Sequence, residues 1–199
     1  RQPWYLLLNP TGVDSQAFLE HVLPQAAEQA TWHSPGEEKL LHWIGESALV
    51  LEIQDNLGAK PSQPEERFIT HPHHDQLYAQ LRRHRLQQPV QGIVLLIDLA
   101  WFLHSQPRER EPVAKRISAQ LHEVSSHLGM RPRLYLCATH LESLAGYAAW
   151  HANLGPAASQ KLLGIHFSQQ KSSHWQQELT DFWQQWHQQL IHDQAPLFM

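Results

Sequence analysis

Near the N-terminus, between an apolar run and an amphipathic helical pattern, lies the segment NPTGVDSQ, Asn9 to Gln16. A strand, a tight turn and a helix start form the frame of phosphate-binding loops written G-x-x-x-x-G-K-[ST]. In such a loop the glycines let backbone N–H groups approach the phosphate, the lysine neutralises the β/γ oxygens, and the hydroxyl holds magnesium. Those fixed positions are here Asn9, Asp14, Ser15 and Gln16, and only Gly12, inside the loop, keeps the glycine character.

The replacements are costly for an anion. An aspartate about 4 Å from a phosphate charge costs on the order of 4 kcal/mol at an effective dielectric of about 20. A lost charge-assisted lysine bond costs about 1.5–3 kcal/mol. Together they weaken nucleotide binding by more than roughly a thousandfold. Asp14 also stands where a carboxylate can accept the orphan N–H groups of a helix N-terminus and face the positive end of its dipole. We expect it to supply the anion that a phosphate would otherwise supply.

Two further slots follow in chain order. After a second apolar run, EIQD (Glu52 to Asp55) occupies the place of the D-x-x-G of G-domains, without its glycine. After a fourth run, THLE occupies the place of the base-reading [NT]-K-x-D: Thr139 persists, His140 replaces the lysine and Glu142 the aspartate. Three degraded motifs in order define a vestigial nucleotide site of Asn9, Gly12, Asp14, Ser15, Gln16, Glu52, Asp55, Thr139, His140 and Glu142. No catalytic residue, cofactor or metal is expected in it.

The elements that must carry these slots are four apolar runs: WYLLLN (Trp4 to Asn9), SALVLEI (Ser47 to Ile53), GIVLLID (Gly92 to Asp98) and RLYLCAT (Arg133 to Thr139). Continuous rather than alternating hydrophobicity is what parallel strands covered on both faces require. A weaker run, GIHFS (Gly164 to Ser168), is a candidate to close the sheet. Between the runs, PVAKRISAQLHEVSSHLG repeats Val113, Ile117, Leu121, Val124 and Leu128 at helical spacing, with Gly129 and Pro132 as stops. Strands alternating with such helices imply right-handed crossovers and an α/β sheet. The segment Gln54 to Asp75, rich in proline and charge and without period, reads as a long exposed loop.

Length permits one large or two small domains. The expected division is a degenerate GTPase-like α/β domain over 1–170 and a C-terminal amphipathic helix over 171–199 that packs on it or leads into a further domain. In that helix Trp175, Leu179, Phe182, Trp183, Trp186 and Leu190 share one broad stripe. With a net charge of −4 and 15 Lys+Arg, the basic stripe of a nucleic-acid binder is missing. The lone Cys137 rules out a disulfide scaffold and reads as an inert core thiol. No apolar run approaches the roughly 18 residues of a membrane span, and no signal pattern opens the chain. Beginning at Arg1, it is expected to be a fragment, with any membrane segments outside it.

On these residues the chain resembles the cytoplasmic GTPase-like domain of the IcmF/TssM family of type VI secretion inner-membrane proteins. The resembling pieces are PWYLLLNPTG, WIGESALVLEI, LYAQLRRHRLQQPVQGIVLLIDLAWFL and LYLCATHLESLAGYAAW, spanning most of Pro3 to Phe167. The resemblance implies a P-loop NTPase-like, G-domain-like fold, a mostly parallel sheet with helices on both faces. It also implies a place at the cytoplasmic face of the bacterial inner membrane, TssL-like and TssJ-like membrane-complex partners reached through the full chain, baseplate proteins, and an oligomer only in the full complex. Because the chain departs from the family's phosphate loop at Asn9, Asp14, Ser15 and Gln16, and at Asp55, His140 and Glu142, the expected function is structural: a pseudo-GTPase docking domain. The alternative is an active or weakly binding NTPase, with Thr139 and Glu142 holding the base.

Two other clusters invite chemistry. Among 16 histidines, HPHHD (His71 to Asp75) is the densest group, but neighbouring loop histidines rarely converge on a metal without a remote ligand. LRRHR, Leu81 to Arg85, reads as a solvated helix end whose cations suit the negative dipole terminus, or as a contact for a partner or lipid headgroups.

Overall fold

The structure, a computed structural model, describes residues 2–23, 27–28, 32–33, 39–53, 72–152, 164–167 and 175–194. The chain divides into two compact units, Arg1–Ala148 and Ala149–Met199. The order of elements is β1 (Trp4–Leu8), α1 (Ser15–Val22), β2 (Ala27–Glu28), β3 (Trp32–His33), β4 (Lys39–Ile44), β5 (Leu49–Ile53), α2 (Pro72–His84), β6 (Gly92–Asp98), α3 (Leu99–His104), α4 (Pro107–Leu128) and β7 (Arg133–Thr139). A 3-10 turn (Leu141–Ser143), α5 (Tyr147–Ala152) and α6 (Trp175–Gln194) follow.

The strands pair in the order β2-β4-β5-β1-β6-β7, with β3 also on β4. β5, β1, β6 and β7 run parallel, and β4 lies antiparallel to β5. The chain is therefore α/β with a mostly parallel sheet. The four apolar runs became β1, β5, β6 and β7. β4, KLLHWI, did not stand out among them because Lys39 and His42 interrupt its apolar pattern.

The continuous runs work as two-sided strands through the pleat, which sends successive side chains to opposite faces. On one face Leu6, Leu8, Leu51, Ile53, Ile93 and Leu95 pack with Tyr78 and Leu81 of α2 and Val124 and Leu128 of α4. On the other, Leu7, Val50 and Leu96 pack with Leu19 of α1, Leu23 and Trp43. Leu7 of β1 is thus as fully buried as Leu6.

β7 corrects the expectation that every run is covered on both faces. Leu134, Tyr135 and Leu136 are 49%, 41% and 67% exposed. The reason is its place at the end of the pairing order, beyond the helices that seat on the central strands. GIHFS does not form a strand in its described residues, 164–167; Ser168 lies outside them.

Part of the expected loop is helical. Pro72 to Asp75 form the first turn of α2, where proline's missing N–H costs nothing. The remainder, 54–71, including Asp55 and His71, lies outside the described residues. α4 starts at Pro107, ahead of the pattern read from Pro112, because Gln106 N–H donates to Glu109 Oε2 at 2.7 Å and closes the N-terminus. Gly129 ends it at φ 65° and ψ 22°, the left-handed conformation only glycine adopts without cost. In the second unit α6 carries Phe182 against Trp183, edge to face at 5.5 Å between centroids. Among the described residues no helix is long and apolar enough to cross a membrane.

Candidate functional site

Parallel pairing brings the C-terminal ends of β1, β5, β6 and β7 to one edge, and the order of β5 and β6 on either side of β1 places the Asn9–Gln16 loop at the point where the chain's winding reverses. Ligands of open α/β sheets bind at such points. The register puts Leu8 beside Ile53 and Asp98 beside Thr139, so the last residues of all four strands lie along that edge.

The loop is held by its own side chains. Asn9 Nδ2 donates to the Val13 carbonyl at 2.7 Å, and Val13 N–H donates to Asn9 Oδ1 at 2.9 Å. Gly12 turns the chain at φ +69°, with open space where a Cβ would stand. Asp14 is the N-cap of α1: its Oδ1 accepts the N–H of Gln16 at 3.0 Å and of Ala17 at 3.2 Å. The amides a phosphate would use are engaged by a carboxylate of the chain itself.

Ser15, in the lysine slot, donates its hydroxyl to Glu52 Oε2 at 2.8 Å. Glu52 is only 2% exposed, the one charged group in the core of the described residues, and burial of a carboxylate demands such a donor. Gln16, in the magnesium-hydroxyl slot, turns along α1 and donates to Glu20 Oε1 at 2.8 Å.

At β6 and β7 the arrangement is anchored by two residues not read from the motifs. Thr11 Oγ1 accepts the Asp98 N–H at 3.0 Å and ties the loop to the end of β6. Asp98 caps α3, accepting the Trp101 N–H at 3.1 Å, and faces His140 Nδ1 at 3.2 Å. That approach is within ion-pair range but outside hydrogen-bond alignment, so it acts through charge when the imidazole is protonated. Desolvation raises the Asp98 carboxyl, and the Trp101 N–H, the contact with His140 and the Ala100 N–H more than offset it, holding it below the ordinary carboxylate value. An Asp closing an apolar strand immediately before LAWFLH is an N-cap signal that would have identified it.

Thr139 Oγ1 donates to the Ile97 carbonyl at 3.3 Å. His140 takes the left-handed conformation, φ 57°, that starts the 3-10 turn, and Glu142 stands exposed on that turn. The structure thus gathers Asn9, Gly12, Asp14, Ser15, Gln16, Glu52, Thr139, His140 and Glu142 at one edge of the sheet. Cys137, in β7, packs partly buried against the face holding Leu7 and Leu96, and desolvation pushes its thiol up. Among the described residues no group of three or more His, Cys, Asp or Glu converges as a metal site.

Comparison with known proteins gives two findings. Over 172 residues the chain is 23% identical to the type VI secretion system component TssM1 of Pseudomonas aeruginosa PAO1, covering 83% of this chain and 15% of that protein. It therefore spans a small part of that relative's length. Residues 71–196 match the family model of the IcmF-related N-terminal domain, from α2 through α6. With more than half its length so matched, the chain belongs to the family of IcmF-related N-terminal domains.

Proposed function

We propose that this chain is a non-catalytic interaction domain of a type VI secretion membrane complex, built on a G-domain-like, P-loop NTPase-like frame whose nucleotide chemistry has been replaced by internal hydrogen bonds. The similarity to TssM1 supports the secretion role. The observation that carries the loss of chemistry is Asp14 bonded to Gln16 N–H and Ala17 N–H. An incoming phosphate would have to displace a like-charged group already holding the helix terminus. The parallel order around β1, with the described residues of the three motifs at the same sheet edge, supports the G-domain-like frame.

A domain of this kind serves as a rigid platform. Its partners are secretion subunits, TssL-like and TssJ-like proteins through the full chain and baseplate proteins, at the cytoplasmic face of the membrane. The nucleotide-binding alternative draws no comparable support, since the Thr139 hydroxyl is engaged by Ile97 and the Ser15 hydroxyl by Glu52.

Calorimetric titration of the purified chain with GTP, GDP and ATP in magnesium tests the reading. No binding is expected; a dissociation constant tighter than about 10 µM, roughly 7 kcal/mol of affinity, overturns it.

A further inference from the structure

The opposite end of the sheet, where the parallel strands begin, collects positive charge from two separate segments. α2 ends there in Arg82, Arg83 and His84, followed by Arg85. Arg82 Nη1 donates to the His127 carbonyl in the last turn of α4 at 3.3 Å, which fixes the end of α2 against the end of α4. The Arg85 guanidinium lies over the Trp4 ring, 5.1 Å from its centroid, at the start of β1. Arg131 and Arg133 leave α4 for β7, and Arg133 is in register with Gly92, itself in register with Tyr5. Neighbouring strands lie about 4.8 Å apart, so these five arginines share one rim.

The charge stands out against that of the protein as a whole, which is −4 net. Arg82, Arg83, Arg131 and Arg133 are exposed, and among the described residues no ion pair holds any of the five. Of the acidic groups on the adjoining elements, Asp75 is bonded by His127 Nε2 at 2.8 Å, and Glu46 stands exposed at the same end of the sheet, in the turn that enters β5, on the side of β1 away from β6 and β7. Directly after Arg85, Leu86 is 86% exposed, with exposed Gln87 and Gln88 beyond it.

We infer that this rim is a docking surface for an anionic lipid bilayer. Protein interfaces surround a packed apolar core with a polar rim, and Leu86 is a lone leucine with arginine and glutamine beside it in the chain instead. A single protruding leucine amid several arginines suits a surface whose headgroups are anionic and whose interior is apolar immediately beneath. Arginine also forms bidentate hydrogen bonds with phosphate oxygens. The strand-start rim and the degraded motifs lie at opposite ends of the same strands, so docking here leaves the other edge open.

Flotation of the chain with vesicles of phosphatidylglycerol and phosphatidylcholine, against vesicles of phosphatidylcholine alone, tests this at low and high salt. Binding is expected to the anionic vesicles only, and to fall as salt screens the charges. Each arginine contributes roughly fivefold in affinity, so Arg83→Gln/Arg133→Gln should lower binding about 25-fold, with an unchanged circular dichroism spectrum. Arg83→Glu/Arg131→Glu, which reverses the charge at Arg83 and brings in Arg131, should lower binding further, and Leu86→Ser should lower binding about tenfold through lost apolar contact. Absence of binding to anionic vesicles, equal binding to both vesicle types, or folded arginine variants that bind as the parent does would each overturn the inference. Arginine-dependent binding to polyglutamate but not to vesicles would also overturn it, assigning the rim to an acidic protein.

Discussion

Ser15 and Glu52 meet across 37 positions of sequence, hydroxyl to carboxylate at 2.8 Å, at the edge where β1 and β5 end. Each satisfies the other. Ser15→Ala leaves the buried Glu52 without this donor and should destabilise the chain by about 1–3 kcal/mol in urea unfolding. A double variant with Glu52→Met should lose less than the sum of the two singles. Strict additivity would show that the bond is not what compensates the buried carboxylate.

Asp14 caps α1 through two amide bonds. Asp14→Ala should cost about 1 kcal/mol, and Asp14→Asn, which retains the accepting oxygen, only a few tenths. Equal stability of Asp14→Ala and the parent would remove the cap from the account.

Gly92 is required by a close approach rather than by its backbone angles. A Cβ there would stand 2.6 Å from Tyr135 Cε2 and 2.9 Å from the Arg133 carbonyl oxygen. Gly92→Ala should destabilise by about 1–3 kcal/mol. Adding Tyr135→Leu should recover only part, because the backbone contact remains. Complete recovery would mean the strands yield more easily than this packing implies.

Asp98 makes stability depend on pH in a definite direction. Its folded carboxyl lies below its ordinary value, so the unfolded chain binds its proton first as pH falls. The stability it contributes is present above about pH 4, the unfolded value, and is lost as pH drops through the folded one. Asp98→Asn keeps an N-cap and removes the titration. Its unfolding free energy should therefore fall less steeply than the parent's below that pH. Parallel curves for the two proteins would exclude the contribution.

Features that depend on neighbouring residues were legible in the sequence. Continuous apolar runs marked β1, β5, β6 and β7 because two-sided burial leaves no polar position in a strand. Gly129 marked the end of α4 and Asp14 the start of α1, since caps act within one helical turn. The boundary of the Gln54 to Asp75 loop was less legible, because Pro72 suits a helix start as well as a loop.

Tertiary structure alone decided which chemically capable groups meet. Sequence spacing says nothing of the contact across 87 positions between Thr11 and Asp98, nor that Ser15 would meet a buried glutamate. It could not show that RLYLCAT would form an outer strand with Leu136 exposed, since a run apolar enough for burial reads the same at the sheet's centre and at its end. Local propensity sets the conformation of each segment, whereas pairing order and register arise from contacts between segments distant in sequence, and those contacts determined where the charges and hydroxyls of this protein came to rest.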